Sequence, residues 1–387
     1  MAIKKDLGKK RDIIYNKLSF NVKTKKHFSG SSPPEIFVGR YGYPNINAGI
    51  LSPEFFNNSQ ELAMPEIWHE KRFTIKEVLS KRSELIYGRF KTNTKKEDKF
   101  KNLMQEIAMA YKPISTEIFL KKPPRKNNEH NTISPIITNQ APLENARLQE
   151  NTKVRKKVDY LVEDGHVKSN VAISELYNSG IEITNINKIL SAGLLGIKRN
   201  RKLVPTRWSI TAVDNNLSKE LVKKIRNYKE IEEILLFHSE YNGNHYEILL
   251  LPEKFSFEVI ESEIKPEGNE FWQDYEFFHG RKTYASNVVG AYYANKLALC
   301  EYLESKKRQA TALFFREIRP EYYAPLGVGI LRECCRGAFS KIPEKCESID
   351  DAFIKMNKRM RLNSIEFREH SKVLKNYGKQ KKLNNWF

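Results

Sequence analysis

The sequence predicts an α+β or mixed α/β fold in which helices pack around a central, partly antiparallel sheet. Three observations carry that reading. EEILLFHSE and HYEILLLPEKF are two β-rich runs joined across YNGN, whose Asn-Gly pair is a strong hairpin signal. Helical spacing recurs on both sides of this hairpin, as in DKFKNLMQEIAMAYK and YASNVVGAYYANKLALCEYLESKK. The 387 residues are 40% hydrophobic and 11% aromatic, ample for large cores.

Taken in order, residues 1–32 are basic and polar and end in SGSSPPE. IFVGRYGYPNINAGILSP follows, dense in Gly, Pro, Asn and Tyr. Its Ile36, Phe37, Val38, Ile46, Ile50 and Leu51 are too apolar for a free linker, so an ordered loop or short strand pair is expected. FTIKEVLSKRSELIYG and DKFKNLMQEIAMAYK predict helices, the second stopping near Pro113. Residues 121–143, with four prolines and no long period, predict an exposed connection. ARLQENTKVRKKVDYLVED predicts a long helix, and VAISELYNSGIEITNINKILSAGLLG a helix pair broken at Gly180. Such a pair before KRNRK suits either a helix-turn-helix reading the major groove or an ordinary packing unit. LVPTRWSITAVD, with its β-branched residues, predicts a strand, NNLSKELVKKIRNY a capped helix and FSFEVIES a further strand. After KPEGNEFW come the long helix quoted above, the strand TALFFREI and the helix GVGILRECCRGAF, with helical sequence again from 350. The expected regions are 1–125, 126–268, 269–372 and a tail at 373–387.

The formal charge of +20 and the isoelectric point near 9.5 favour a polyanionic partner. Basic clusters recur at KKDLGKKR, VRKK, KRNRK and ESKKRQ, and nucleic acid is the leading candidate. Charge networks that serve heat stability normally balance their signs. No run of apolar residues is long enough to span a membrane and MAIKKDLGKKRD has no apolar signal region, so a cytoplasmic, nucleoid-associated protein without membrane contact is expected. Cys300, Cys334, Cys335 and Cys346 form no CxxC pair, so no zinc is expected, and the adjacent Cys334 and Cys335 are assigned to buried or half-buried core positions on a helix.

No phosphate-binding loop, dinucleotide fingerprint, HExxH, GxSxG or EF-hand loop is present, so any site is assembled from scattered residues. GRYGYPNIN offers Arg40, Tyr41, Asn45 and Asn47 on a Gly/Pro-shaped backbone that suits a nucleotide or DNA phosphate, or is simply an ordered loop. In PTRWSITAVD, Arg207 beside an aromatic suits stacking or phosphate binding, Trp208 itself is either part of such a contact or, as its setting favours, a core residue, and Asp214 is either a catalytic or metal-binding carboxylate or a helix cap. The stretches FFHGRKTYASN, LFFREI and LRECCRGA supply His279, Arg281, Tyr284, Arg316, Glu317 and Arg332. Arg-Glu pairs near apolar runs either pair internally or bind something charged. Asp214, His279, Arg316 and Glu317 are the catalytic candidates if there is a reaction, and a nuclease would gather Mg²⁺ with carboxylates such as Asp214, Glu240, Glu247 and Glu317. No metal site or cofactor is assigned.

The closing QKKLNNWF puts a glutamine first, an aliphatic fourth and aromatics seventh and eighth. In one helical turn Leu383, Trp386 and Phe387 share a side while Gln380 fills a polar notch. The stretch resembles the PCNA-interacting motif of proteins that hang on the sliding clamp. FVGRYGYPNINAGILSP, LSAGLLG, VPTRWSITAVD, GRKTYASNVVGAYYANKLALCEYLESKKRQA and FFREIRPEYYAPLGVGILRE together resemble the archaeal Nre DNA-repair protein family. That resemblance makes 1–268 the N-terminal Nre domain and 269–372 the C-terminal one. It implies a DNA-damage response factor tethered to PCNA through Gln380, Leu383, Trp386 and Phe387, with DNA and other repair proteins as partners. One departure is that many relatives carry paired CxxC motifs near the N-terminus, whereas this chain has no cysteine before Cys300. The alternatives are a nuclease or nucleotide-using transferase acting on nucleic acid, and a non-catalytic adaptor.

Overall fold

The protein is described here by a computed structural model covering residues 23–56, 59–126, 133–266 and 268–379. The fold is mixed α+β, and the chain divides into two compact units. One takes the residues up to Asn216 together with Tyr323–Gly329; the other takes Leu217–Tyr322 and the chain from Ile330.

The first unit is built on a seven-stranded sheet of β1 (His27–Ser32), β2 (Glu35–Val38), β3 (Asn45–Ser52), β4 (Ile86–Asn93), β5 (Ile114–Leu120), β6 (Arg125–Lys126) and β7 (Asn139–Leu148). The spatial order is β1-β5-β7-β4-β3-β2, with β6 paired to β7, and only the β4–β7 pair is parallel. Gly49 on β3 is required by close approach, because a Cβ there would lie 2.0 Å from the Gly88 carbonyl oxygen on β4. Around the sheet run α1 (Pro65–Glu70), α2 (Ile75–Ser83), α3 (Lys99–Met109), α4 (Lys156–Glu163), α5 (Ser169–Asn178), α6 (Ile183–Ser191) and the first half of α7 (Thr206–Ile225). Thr74 and Glu77 close a capping box on α2, and Asp98 caps α3 by accepting from the Lys101 N–H at 2.9 Å. Met104, Ile107 and Ala108 turn one face of α3 onto β2, β3, β7 and α6.

The second unit holds the short parallel pair of β8 (Lys229–Glu230) and β13 (Arg308–Gln309), and a six-stranded sheet. Its strands are β9 (Ile234–Tyr241), β10 (Asn244–Leu251), β11 (Ser256–Glu263), β12 (Phe271–Glu276), β14 (Thr311–Ile318) and β15 (Glu344–Cys346), in the order β12-β11-β14-β10-β9-β15. The β9–β10 turn has Asn242 and Gly243 both at positive φ, the conformation that the Asn-Gly pair predicts. β10 and β14 are buried along their whole length because both faces of the sheet are covered. On one face Phe257 and Phe314 meet Tyr292 of α8 (Val289–Lys306) and Phe339 of α9 (Gly329–Phe339). On the other, Leu249, Leu313 and Phe315 pack with Phe353 and Met356 of α10 (Ile349–Asn357) and Phe367 of α11 (Ser364–His370). All four cysteines are buried, Cys334 and Cys335 as assigned from sequence.

Three local expectations are corrected. VPTRWSITAVD is helical, not a strand: Ile210, Val213 and Leu217 are buried at helical spacing, and this packing overrides their β-branched preference. Asp214 therefore lies inside α7, fully buried, and neither ends a strand nor caps a helix. Ala146, Arg147 and Leu148 belong to β7, with Ala141, Leu143 and Ala146 buried, and the helix that follows begins only at Lys156. The connection at 121–143 is not exposed throughout, since Ile133, Ile136 and Ile137 are core residues. The helix pair before KRNRK is α5 and α6, and α6 buries Ile183 and every residue from Ile186 to Ser191. A helix so covered packs and does not enter a groove.

Candidate nucleic-acid interface

Two candidate stretches far apart in sequence meet in the first unit. Between β2 and β3 the chain makes a tight turn in which Gly39 N–H donates to Asn47 O and Asn45 N–H to Gly42 O, both at 2.8 Å. Gly42 sits at φ +77°, and a Cβ there would approach the Asn45 carbonyl oxygen to 2.7 Å, so glycine is required. The Tyr43–Pro44 peptide is cis. This turn carries Tyr41 and Tyr43 outward, 71% and 37% exposed.

The beginning of α7 is stitched beside it. Val38 N–H donates to Thr206 Oγ1 at 2.9 Å, Thr94 N–H to Pro44 O at 3.0 Å and Leu203 N–H to Thr94 O at 2.9 Å. These bonds bring Trp208, 45% exposed, to a ring separation of 5.4 Å from Tyr43. The Lys202 ammonium lies 5.7 Å from the Tyr43 ring centre and the Arg40 guanidinium 4.9 Å from that of Tyr41. Asn45 accepts from Asn93 at 2.8 Å, Asn47 is half-buried on β3, and Arg207 is half-buried in the first turn of α7. Lys91, Lys95, Lys96 and Arg199 are exposed on the adjoining segments. Three large rings left in water beside cations form a surface suited to stacking bases and holding phosphates.

The third group lies in the second unit, where the apolar rows of the sheet give way to buried charge. Arg316 donates to Glu261 and to Asn244, which also accepts from its Nε at 3.1 Å. Burial opposes its charge, but Glu261, with Tyr246 and Tyr322, holds the guanidinium protonated above its ordinary range. Glu317 points to the opposite face, accepting from Arg319 Nε at 2.9 Å and Arg361 N–H at 2.7 Å. Glu247 receives both Nε and Nη2 of Arg359 at 2.9 Å, and Glu240 is engaged by Arg319. Among the described residues no group of three or more His, Cys, Asp or Glu side chains is disposed to hold a metal. Arg332 is buried in α9 within 3.5 Å of Glu333. Arg281 binds Asp274 at 2.8 Å, and Asp274 in turn accepts the Asn287 and Val288 N–H groups at the start of α8. Tyr284 rests 4.6 Å from the ring of Tyr293, and His279 is exposed after β12. Gln380, Leu383, Trp386 and Phe387 lie outside the described residues.

Comparison with known proteins supplies the lineage. The family described as archaeal Nre, N-terminal, matches residues 10–267, and archaeal Nre, C-terminal, matches residues 276–386. The chain belongs to the archaeal Nre family. It is 39% identical over 338 residues to DNA repair protein NreA of Archaeoglobus fulgidus, covering 85% of this chain and 84% of that one. It is 33% identical to DNA repair protein NreB of the same organism, with 94% and 92% covered, and 32% identical to DNA repair protein NreA of Haloferax volcanii, with 88% and 85% covered. No solved structure matches.

In this Nre chain the sequence points to Arg40, Tyr41 and Trp208 but misses Tyr43 and Lys202, which join the two stretches. The available signals were the second tyrosine in GRYGYP and the KRNRK run. Neither spacing nor composition reports that they meet.

Proposed function

We propose that this Nre chain is a DNA-repair factor that holds DNA on the Tyr41–Tyr43–Trp208 surface and is recruited to the sliding clamp by QKKLNNWF. The repair role follows the names of its relatives, and the DNA contact rests on one observation, the exposed aromatic cluster flanked by Arg40 and Lys202. Because every base presents a π-face, such a surface favours unpaired or strand-separated DNA and tolerates any sequence. The basic remainder of the chain supplies phosphate neutralisation and places it on the nucleoid.

Fluorescence anisotropy with a labelled single strand tests this. Trp208→Ala removes a stacking contact of about 1–3 kcal/mol and lowers affinity roughly tenfold or more. Affinity also falls with salt by about 0.7 decade per decade for each phosphate neutralised on a single strand. An unchanged affinity in Trp208→Ala, or a flat salt response, contradicts the reading.

A further inference from the structure

The second unit carries a cavity of about 340 Å³ that none of the foregoing uses. Its wall is formed by Glu253, Lys254 and Ser256, by the turn Phe277–His279, and by Lys379 close to the end of the described chain, among others. The volume lies at the small end of the roughly 300–1,000 Å³ range of ligand pockets, enough for one nucleotide and too little for a duplex.

The lining has two chemistries. The first is aromatic: directly after β12, Phe277, Phe278 and His279 follow one another, and Gly280, at φ +79°, closes the turn by donating its N–H to Phe277 O at 2.7 Å. A Cβ on Gly280 would come within 3.3 Å of the Arg226 guanidinium, so glycine admits that side chain. Arg226 lies 5.2 Å from the centre of the Phe278 ring and holds it from outside the cavity lining. Phe277, which lines the cavity, remains 39% exposed, whereas every other described phenylalanine of this unit is buried or half-buried.

The second chemistry is cationic. Lys254, 5.4 Å from the Phe278 ring centre, and Lys379 have no carboxylate partner among the described residues, nor does His279. Thr311 Oγ1 donates to the Lys254 carbonyl oxygen at 2.8 Å and fixes that stretch of backbone. Two lysines and a histidine thus face a single carboxylate, Glu253, and the hydroxyl of Ser256 has no hydrogen-bond partner among the described residues. Unpaired ammonium groups beside a planar ring suit a ligand that is anionic at one end and flat at the other.

We infer that this cavity binds a nucleoside monophosphate unit, either a free nucleotide or the phosphorylated end of a DNA strand. The base lies against Phe277 and His279, and the phosphate is held by Lys254 and Lys379 with Ser256 donating. This site is separate from the Tyr41–Tyr43–Trp208 surface and does not depend on it.

The test uses the full chain in two arms. In the first, dAMP is titrated calorimetrically into the wild-type chain and into Lys254→Ala and Phe277→Ala. In the second, single strands with a 5′-phosphate, a 3′-phosphate or hydroxyls at both ends compete for binding. Saturable dAMP binding that weakens at least tenfold in both variants identifies a free-nucleotide site. A preference of at least tenfold for one phosphorylated end, lost in Lys254→Ala, identifies a strand-end site. Absence of dAMP binding together with equal affinity for the three strands overturns the inference, as does binding that neither variant alters. Trp208→Ala separates the two readings: it weakens all three strands alike and leaves both dAMP binding and any end preference unchanged.

Discussion

Replacing Trp386 and Phe387 together by alanine lowers the affinity of the chain for its sliding clamp at least a hundredfold. Two aromatic anchors seated in one pocket are each worth about 2 kcal/mol or more when truncated, and about 1.4 kcal/mol is a factor of ten. The spacing of Leu383 to Trp386 and Phe387 would put it on their side of a helical turn in the bound peptide, so Leu383→Ala gives a smaller loss in the same direction. Lys381 and Lys382 lie between Gln380 and Leu383 in sequence and contribute mainly to the salt dependence of the affinity. Calorimetric titration of the clamp measures all of these. A loss below threefold for the double substitution contradicts the assignment, and DNA affinity stays at its wild-type value because the aromatic surface lies elsewhere in sequence.

Arg316→Ala destabilises the second unit by about 3–5 kcal/mol, the scale for breaking a buried ion pair and leaving one charge uncompensated. Arg316 is the cation that serves Glu261 and Asn244, and its guanidinium also lies 5.7 Å from the Tyr322 ring centre. Removing it leaves the Glu261 carboxylate, itself largely buried, without that counter-charge. Arg316→Met, which refills the volume but not the charge, is expected to fall between alanine and wild type. Thermal unfolding reads the loss as a shift of roughly 10 °C for a unit of this size. A transition within 2 °C of wild type would show that the pair is dispensable and would reopen Arg316 as a ligand-binding group. Below the transition, DNA affinity is unchanged.

The parts of the fold that were legible in the sequence are those whose signal is local. The Asn242–Gly243 turn, the short apolar run of TALFFREI and the spacing of α3 and α8 all report a backbone choice within a few residues. VPTRWSITAVD failed because its β-branched residues favour a strand locally while Ile210, Val213 and Leu217 bury one helical face, and tertiary packing decides between them. β7 failed for a related reason: Pro142 argues against a strand, yet it sits where the β4 pairing ends. The candidate interface was half legible. Tyr41 and Arg40 stand out as exposed aromatic and cation on a glycine-shaped turn, but the meeting of Tyr43 with Trp208 depends on Thr94, Leu203 and Thr206 tying three segments together. The buried charges were legible as a problem, since Arg-Glu pairs near apolar runs must be satisfied. The partner of Arg316, Glu261, is set by strand register and could not be read from spacing, whereas Arg319 lies only two residues from Glu317 in the same stretch.

On the proposed function, one chain holds DNA and the sliding clamp at the same time. Sedimentation of a labelled single strand with the clamp, in the presence of the full chain or of a chain ending at Lys379, tests it most directly. The clamp is expected to sediment with the strand only when the full chain is present, while the shortened chain still binds the strand but leaves the clamp behind. A clamp that sediments apart from the strand in the presence of the full chain, or equally with both chains, contradicts it.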